Sequence, residues 1–188
     1  MTTRRKLMWA FSLLSALALT TPCAGTAQNT PKPAKRDPAR MQARLEEQVR
    51  HELVMLPYYS AFDNLQFRVQ GDRVTLMGQT VRPSLKTDAE HVVKKIEGVA
   101  GVTNRIEVLP LSPNDDRLRR AVYRAIYSHS ALQRYALGAV PPIHIIVKRG
   151  HVTLEGVVAN EMDKNIANIQ ANSVPGAFSV TNRLRAEK

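Results

Sequence analysis

Apolar residues recur along this chain in two series that follow the same order of spacings. Each series opens with apolar residues four positions apart, a period that predicts an amphipathic helix with one buried face. These residues are Leu45, Val49 and Leu53 in the first series, and Leu118, Val122 and Ile126 in the second. Two runs of alternating apolar and polar residues follow on either side of a short turn. Such alternation predicts a β-hairpin with one face packed on a core.

A second helical pattern and a last alternating run complete each series. In the first series the second helix is predicted over residues 84–97, with inward residues Leu85, Ala89, Val92, Val93 and Ile96. In the second series it is predicted over residues 161–174, with inward residues Met162, Ile166, Ile169 and Val174. The order α-β-β-α-β predicts an α+β fold class. The chain would contain two tandem units, each a small three-stranded sheet covered by two helices.

From the hairpin onward, the two series keep a constant offset of 78 residues. The segment 74–78 (VTLMG) returns at 152–156 as VTLEG, and 102–106 (VTNRI) returns at 180–184 as VTNRL. A constant offset over this length indicates two copies of one fold unit. The repeated features are apolar spacing and turn residues, with no acid, base or nucleophile. This favours a tandem binding module over an enzyme, and no catalytic residue is predicted.

Several polar and glycine positions predict turns and helix ends. The glycines predicted to serve turns or caps are Gly71, Gly78, Gly98, Gly150, Gly156 and Gly176, because glycine adopts left-handed backbone conformations without penalty. Asn114 with Asp115 and Asp116 predicts the capped start of the helix that carries Leu118. Asn104 and Asn182 share the parity of the apolar residues, so each marks either a β-bulge or a buried side chain bonded to the backbone.

The N-terminal residues predict export. Residues 4–6 (RRK) are cationic, residues 7–20 are mostly apolar, and small residues follow through Ala27. This pattern predicts a cleaved secretory signal over residues 1–27, with an uncleaved anchor as the alternative. Cys23 is the only cysteine, and Pro22 before it disfavours a lipoprotein signal, so the mature chain would contain no disulfide. The Pro-rich basic residues 28–40 predict a flexible linker.

The positive charge is concentrated in the second copy. The chain has a formal net charge of +11. Residues 41–110 hold nine Lys and Arg against nine Asp and Glu, whereas residues 111–188 hold eleven against six. A basic protein ordinarily suggests a nucleic-acid partner. Export removes that partner, so anionic phospholipid head groups are the predicted counter-charge.

One face of the first helix in the second copy suits such a surface. Opposite the Leu118 stripe lie the candidate lipid-binding residues Arg117, Arg120, Tyr123, Arg124 and Tyr127. Cations with aromatic rings are typical of helices that lie at an anionic membrane interface. One alternative is a solvated arginine face, with the tyrosines packed on the first copy or on the long loop that precedes the hairpin of the second copy, residues 130–142. The other is a contact with a partner protein. The five histidines show no ligand spacing, so neither a metal site nor a cofactor is predicted.

The two copies resemble the BON domain, a family found in bacterial osmotic-shock and nodulation proteins. The resemblance rests on the hairpin segments 69–78 and 147–156 and the closing segments 98–108 and 176–184. It places BON domains at residues 41–110 and 114–188. The second copy departs from the pattern in its shifted turn, Arg149-Gly150, and in Ala177 after Gly176.

The resemblance implies a non-catalytic periplasmic module that binds phospholipid and supports envelope integrity. A signal followed by two such domains is similar to the layout of periplasmic osmotically inducible proteins, which implies a role in stress response. The sequence thus predicts peripheral binding to an anionic phospholipid membrane. The alternative is a periplasmic scaffold that engages envelope proteins, without direct lipid binding, through an unpaired strand edge.

Overall fold

A computed structural model describes residues 38–187 of the 188-residue chain. The predicted signal over residues 1–27 and residues 28–37 of the predicted linker lie outside these residues. The first copy contains α1 (Pro38–Val54), β1 (Asn64–Gln70), β2 (Arg73–Thr80), α2 (Pro83–Lys94), β3 (Gly101–Asn104) and β4 (Glu107–Val108). The second contains α3 (Pro113–Tyr127), the 3₁₀ helix η1 (Gln133–Leu137), β5 (Ile143–Lys148), β6 (His151–Val158), α4 (Glu161–Asn172) and β7 (Ser179–Ala186). The predicted α+β class with two tandem units is confirmed.

The two sheets share one topology. In the first copy, β1 and β2 form an antiparallel hairpin, and β3 and β4 both pair with β2 in parallel. In the second copy, β5 and β6 form the hairpin and β7 runs parallel to β6 over its full length. The predicted closing strand is therefore continuous in the second copy and interrupted at residues 105–106 in the first.

Each copy buries its own hydrophobic core between its helices and one face of its sheet. The first core includes Leu45, Val49, Leu53, Val74, Leu76, Leu85, Ala89, Val93 and Ile106. The second includes Leu118, Val122, Ile126, Ile143, Ile145, Val152, Leu154, Ala167, Ala171 and Leu184. The amphipathic stripes predicted for α1 and α3 are buried in these cores.

The predicted inward face of α4 is wrong at two positions. Met162 and Ile169 are 71% and 62% exposed, while Ala167 and Ala171 are fully buried. The small alanines allow α4 to pack closely against the sheet, and this packing turns the larger side chains outward. Asp163 lies one turn before Ala167 on the same face and is also buried.

The start of α3 also differs from the prediction. The capping residue is Ser112, whose hydroxyl accepts a hydrogen bond from the Asp115 amide at 3.2 Å, and Pro113 occupies the first helical turn. Asn114 therefore lies inside the helix. Asp115 and Asp116 remain in the first turn, where negative charge is favourable to the helix dipole.

Asn104 and Asn182 bond to the backbone, which decides between the two alternatives that the sequence left open. The Asn104 side-chain amide donates to the Lys86 carbonyl at 2.8 Å, and its oxygen accepts from the Ile106 amide at 3.1 Å. Asn182 makes the equivalent bonds to Lys164 and Leu184. Each asparagine thus ties the second helix of its copy to the closing strand.

All six predicted turn glycines have positive φ angles. Two of them, Gly78 and Gly156, also lie where another backbone segment approaches closely. A β-carbon on Gly156 would lie 1.9 Å from the Pro142 carbonyl oxygen, and one on Gly78 would lie 1.9 Å from that of Asn64. Only glycine fits these two positions, since the approach leaves no space for a side chain.

The first copy covers the outer edge of β5 in the second copy, and both copies belong to one compact unit. The Ile145 amide donates to the Ala61 carbonyl at 2.7 Å. Beside this bond the rings of Tyr59 and His144 stack with centroids 5.6 Å apart. Phe62 contacts Tyr123 edge to face at 5.8 Å, and Lys148 pairs with Glu107 at 2.5 Å. These contacts shield a strand edge that would otherwise be open to pairing.

We expect the stability of this contact to fall as the pH decreases, because His144 is buried in it. Burial lowers the pKa of His144 below its ordinary value of 6.5, although the nearby backbone of Ser60 and Asp63 and the Asp63 charge oppose the shift. As the pH falls through about 6.5, the unfolded chain binds the proton more readily than the folded chain does. The contribution of His144 to the free energy of unfolding is therefore fully present above that pH, and it is lost progressively as the pH falls toward the lower pKa of the folded state.

Thermal unfolding followed by circular dichroism at pH 7.5 and 5.5 measures this effect, with His144→Phe as the control variant. The parent melting temperature should fall more between these two pH values than that of the variant. The same pH dependence in both proteins would show that His144 is not responsible.

Candidate functional site

The outward face of α3 carries three exposed arginines, Arg117, Arg120 and Arg124. The opposite face is anchored in the core by the Leu118 stripe, so the helix cannot rotate these side chains inward. Arg117 donates to the Asn114 side chain and Arg124 to the Arg120 carbonyl, and both acceptors are neutral. Within residues 38–187 none of the three forms an ion pair with a carboxylate. Their positive charge is therefore available to an external anion.

The two tyrosines predicted for this face are packing residues. Tyr127 is only 5% exposed and its hydroxyl donates to the Ile143 carbonyl at 2.8 Å, so its prediction as an outward residue is wrong. Burial raises the pKa of Tyr127. Tyr123 is half-buried between Tyr127, at 4.5 Å, and Phe62 of the first copy. The tyrosines lie inward because the first copy and the start of β5 close over this end of α3.

Arg119 lies among the exposed arginines in sequence but is buried, which the sequence did not predict. It is buried beside Leu118, and its guanidinium donates to the Val147 carbonyl at 2.7 Å while pairing with Asp116. This bond satisfies a carbonyl on the edge strand β5. Position 119 lies three residues before Val122, on the margin of the buried stripe, which is the signal that distinguishes it from the exposed arginines.

The second copy has five more residues than the first between its first helix and its hairpin, and the 3₁₀ helix η1 lies in this segment. Asp163 is buried and accepts hydrogen bonds from Arg134 and from the Tyr135 hydroxyl, which in turn accepts from the Ala159 amide at 2.8 Å. The hydrogen bond of Arg134 to Tyr135, and then its bond to Asp163, raises the pKa of Arg134. These bonds hold η1 against the start of α4.

An open groove of about 570 Å³ separates η1 from the end of α3. Arg124 and Arg134 lie along it, together with Leu137, which is 87% exposed. Leu137 therefore places an apolar side chain beside the cations of the α3 face. Neither Arg134 nor Leu137 was predicted, because the sequence of the long loop shows no periodicity that would place them.

The equivalent surface of the first copy has mixed charge. An open groove of about 1010 Å³ between α1 and α2 is lined by Arg44, Arg50 and Lys95, and also by Glu47, Glu52 and Glu97. Opposite charges at this spacing leave little net field for an anionic surface. The two copies share a fold, but the arginines of α1 are interspersed with glutamates, whereas the outward arginines of α3 are not.

The sequence model of the BON domain matches residues 42–110 and 114–188. The chain therefore belongs to the BON-domain family and contains two tandem BON domains. BON domains are generally non-catalytic and are associated with phospholipid binding and with the cell envelope.

Two solved structures are distantly similar. The C-terminal domain of CdsD, a structural protein of the Type III secretion system of Chlamydia trachomatis, has 11% identity and a TM-score of 0.30, over 78% of this chain and 99% of that chain. A second CdsD structure has 13% identity and a TM-score of 0.28, over 75% and 91% of the two chains. A comparison with curated protein sequences finds no match.

No helix within residues 38–187 has the length and hydrophobicity needed to cross a bilayer. In this part of the chain, no three side chains among His, Cys, Asp and Glu are grouped so that they could hold a metal ion.

Proposed function

We propose that this protein is an exported, non-catalytic periplasmic protein that binds anionic phospholipid peripherally through its second BON domain and supports envelope integrity. The observation that carries the proposal is the row of three exposed arginines on α3, none of which has a carboxylate partner among the described residues. The neighbouring Leu137 adds an apolar side chain of the kind that enters the membrane interface.

The expected affinity is low. Each arginine near an anionic surface contributes about 1 kcal/mol, so three contribute roughly 3 kcal/mol. A free energy of that size corresponds to binding on the order of millimolar. The interaction is therefore reversible and depends on salt, and the apolar contacts beside the arginines are needed to strengthen it.

Co-sedimentation with phospholipid vesicles tests this proposal. A chain starting at residue 28 is suitable, because both hydrophobic cores lie within residues 45–184. It should sediment with phosphatidylglycerol vesicles at 0.1 M salt and much less at 1 M, since the screening length falls from about 10 Å to about 3 Å. It should not sediment with phosphatidylcholine vesicles. Equal binding to both lipids, or none to either, would overturn the proposal.

The edge strand β7 favours a second candidate function, a protein-interaction scaffold. Within residues 38–187 no strand pairs with the outer edge of β7, which extends over eight residues from Ser179 to Ala186. An unpaired edge of this length can accept a strand from an envelope protein. Absence of binding to either vesicle type in the assay above would favour this candidate over lipid binding.

A further inference from the structure

The loop between α4 and β7 holds a large apolar ring in solvent. Phe178 is 80% exposed, yet its position is constrained. Its amide donates to the Gly150 carbonyl at 2.8 Å, and its ring lies so close to Gly150 that a β-carbon there would approach it to 2.6 Å. The ring of His151 lies 5.9 Å away. Phe178 is thus presented outward from a fixed backbone.

The hairpin turn beneath this ring is held by a buried carboxylate. Asp115 accepts hydrogen bonds from the amides of Arg149 and Gly150, each at 2.9 Å. Its negative charge is therefore directed into the turn and away from solvent. These bonds tie the start of α3 to the β5–β6 hairpin, so the α3 arginines and Phe178 keep a defined relation to each other.

Arg149 occupies a position that backbone conformation does not favour for arginine. Its φ angle is +53°, and the residue 78 positions earlier is Gly71, with a φ angle of +63°. A side chain in the left-handed region is strained, and glycine at this position relieves the strain in the first copy. Stability therefore gives no reason for an arginine here. Strain of this kind is typical of functional positions, and the property that arginine adds is an exposed positive charge.

Two cations line the same cavity as the ring. Arg117 and Arg149 line an open cavity of about 690 Å³ together with Phe178. Both are exposed, and among the described residues neither pairs with a carboxylate. An apolar ring beside cations is complementary to an anionic membrane surface, where the charges meet phosphate groups and the ring enters the acyl boundary. Arg117 belongs both to this cavity and to the α3 face, so one membrane surface is able to contact both.

The first copy provides an internal comparison. At the position of Phe178 it has Ala100, and at that of Arg149 it has Gly71. Both copies form the same hairpin and pair their closing strands in parallel with its second strand, so the fold itself requires neither the ring nor the cation. The two features occur together in the copy that also carries the unpaired α3 arginines.

We propose that the tip formed by Phe178, Arg149 and Arg117 is a membrane-insertion site, in which Phe178 enters an anionic bilayer and the two arginines bind phosphate groups at its surface. This inference rests on the proposed lipid binding and assigns it a site of insertion beyond the α3 face.

Tryptophan fluorescence tests the insertion directly. Trp9 is the only tryptophan in the sequence, so a chain starting at residue 28 contains none. F178W introduces a single probe at the tip, and A100W introduces the matched probe at the same position of the first copy. With vesicles of equal parts phosphatidylglycerol and phosphatidylcholine, F178W emission should shift to the blue and be quenched by brominated acyl chains. A100W emission should do neither.

Two further variants separate insertion from folding. Phe178→Ala should reduce partitioning into these vesicles about tenfold or more, the factor expected when a phenylalanine side chain no longer enters an apolar phase. Arg149→Gly should also weaken partitioning, yet its melting temperature should stay equal to or above that of the parent, because glycine relieves the strained φ angle.

The outcomes distinguish this inference from the proposed function. If the parent sediments with anionic vesicles while F178W emission stays unshifted and Phe178→Ala binds as the parent does, the tip is not an insertion site and lipid binding through α3 stands. If the parent binds no vesicle, both proposals are overturned. Equal quenching of F178W and A100W would also overturn the inference, because position 178 would then enter the bilayer no more deeply than position 100.

Discussion

Replacing Gly156 with alanine is expected to destabilise the second domain by about 3 kcal/mol. A side chain in the left-handed region costs about 1–2 kcal/mol. Gly156 has a φ angle of +128°, and a β-carbon there would lie 1.9 Å from the Pro142 carbonyl oxygen. Relieving that overlap requires β6 to move away from the start of β5. Overpacking of this kind costs roughly a further 1–3 kcal/mol. The midpoint of urea unfolding measures the loss.

Gly176→Ala is the matched control. Gly176 has a φ angle of +96°, but nothing lies within 4 Å of its β-carbon position. The control should therefore lose only the conformational part, about 1 kcal/mol. The difference between the two variants in their loss of unfolding free energy measures the cost of the close approach between Gly156 and the Pro142 carbonyl. Equal destabilisation in both would show that the contact with Pro142 adapts without cost.

Reversing the charge of Arg120 and Arg124 together should abolish binding to anionic vesicles. Each Arg→Glu change removes about 1 kcal/mol of attraction and adds a similar repulsion, so the pair changes the binding free energy by roughly 4 kcal/mol. A change of that size reduces partitioning by about a thousandfold. Both side chains are exposed and make no ion pair within the described residues, so stability should change by less than about 0.5 kcal/mol.

The first copy again offers a control with the same change in net charge. Arg44 and Arg50 are exposed on α1, and replacing both with glutamate alters the total charge as much as the α3 variant does. This control should retain most of the vesicle binding, because its surface carries mixed charge. Equal loss in both double variants would show that binding depends on overall charge and not on the α3 face. A lowered melting temperature in the α3 variant would show that the arginines are structural.

Much of the fold was predictable because its signals are local. The α1 and α3 stripes and the hairpin alternation follow from periods of about 3.6 and 2 residues, which can be recognised within a single short segment. The turn glycines likewise follow from local backbone conformation. The prediction for α4 was wrong at Met162 and Ile169 because it placed the most hydrophobic residues inward. The repeat indicates a different face. The 78-residue offset maps Leu85, Ala89 and Val93 onto Asp163, Ala167 and Ala171, which are the buried residues.

The candidate site was less predictable, since exposure depends on segments distant in sequence. A helical wheel places Tyr127 and the α3 arginines together, but Phe62 and the start of β5 cover the tyrosine end alone. The burial of Arg119 against β5 and the approach of Phe178 to Gly150 also depend on long-range packing.

The order of helices and strands in each unit, the 78-residue offset between the units and the positive charge of the second unit follow from the sequence alone. Which charges and rings reach solvent depends on packing between elements, because periodicity describes one element while exposure depends on its neighbours.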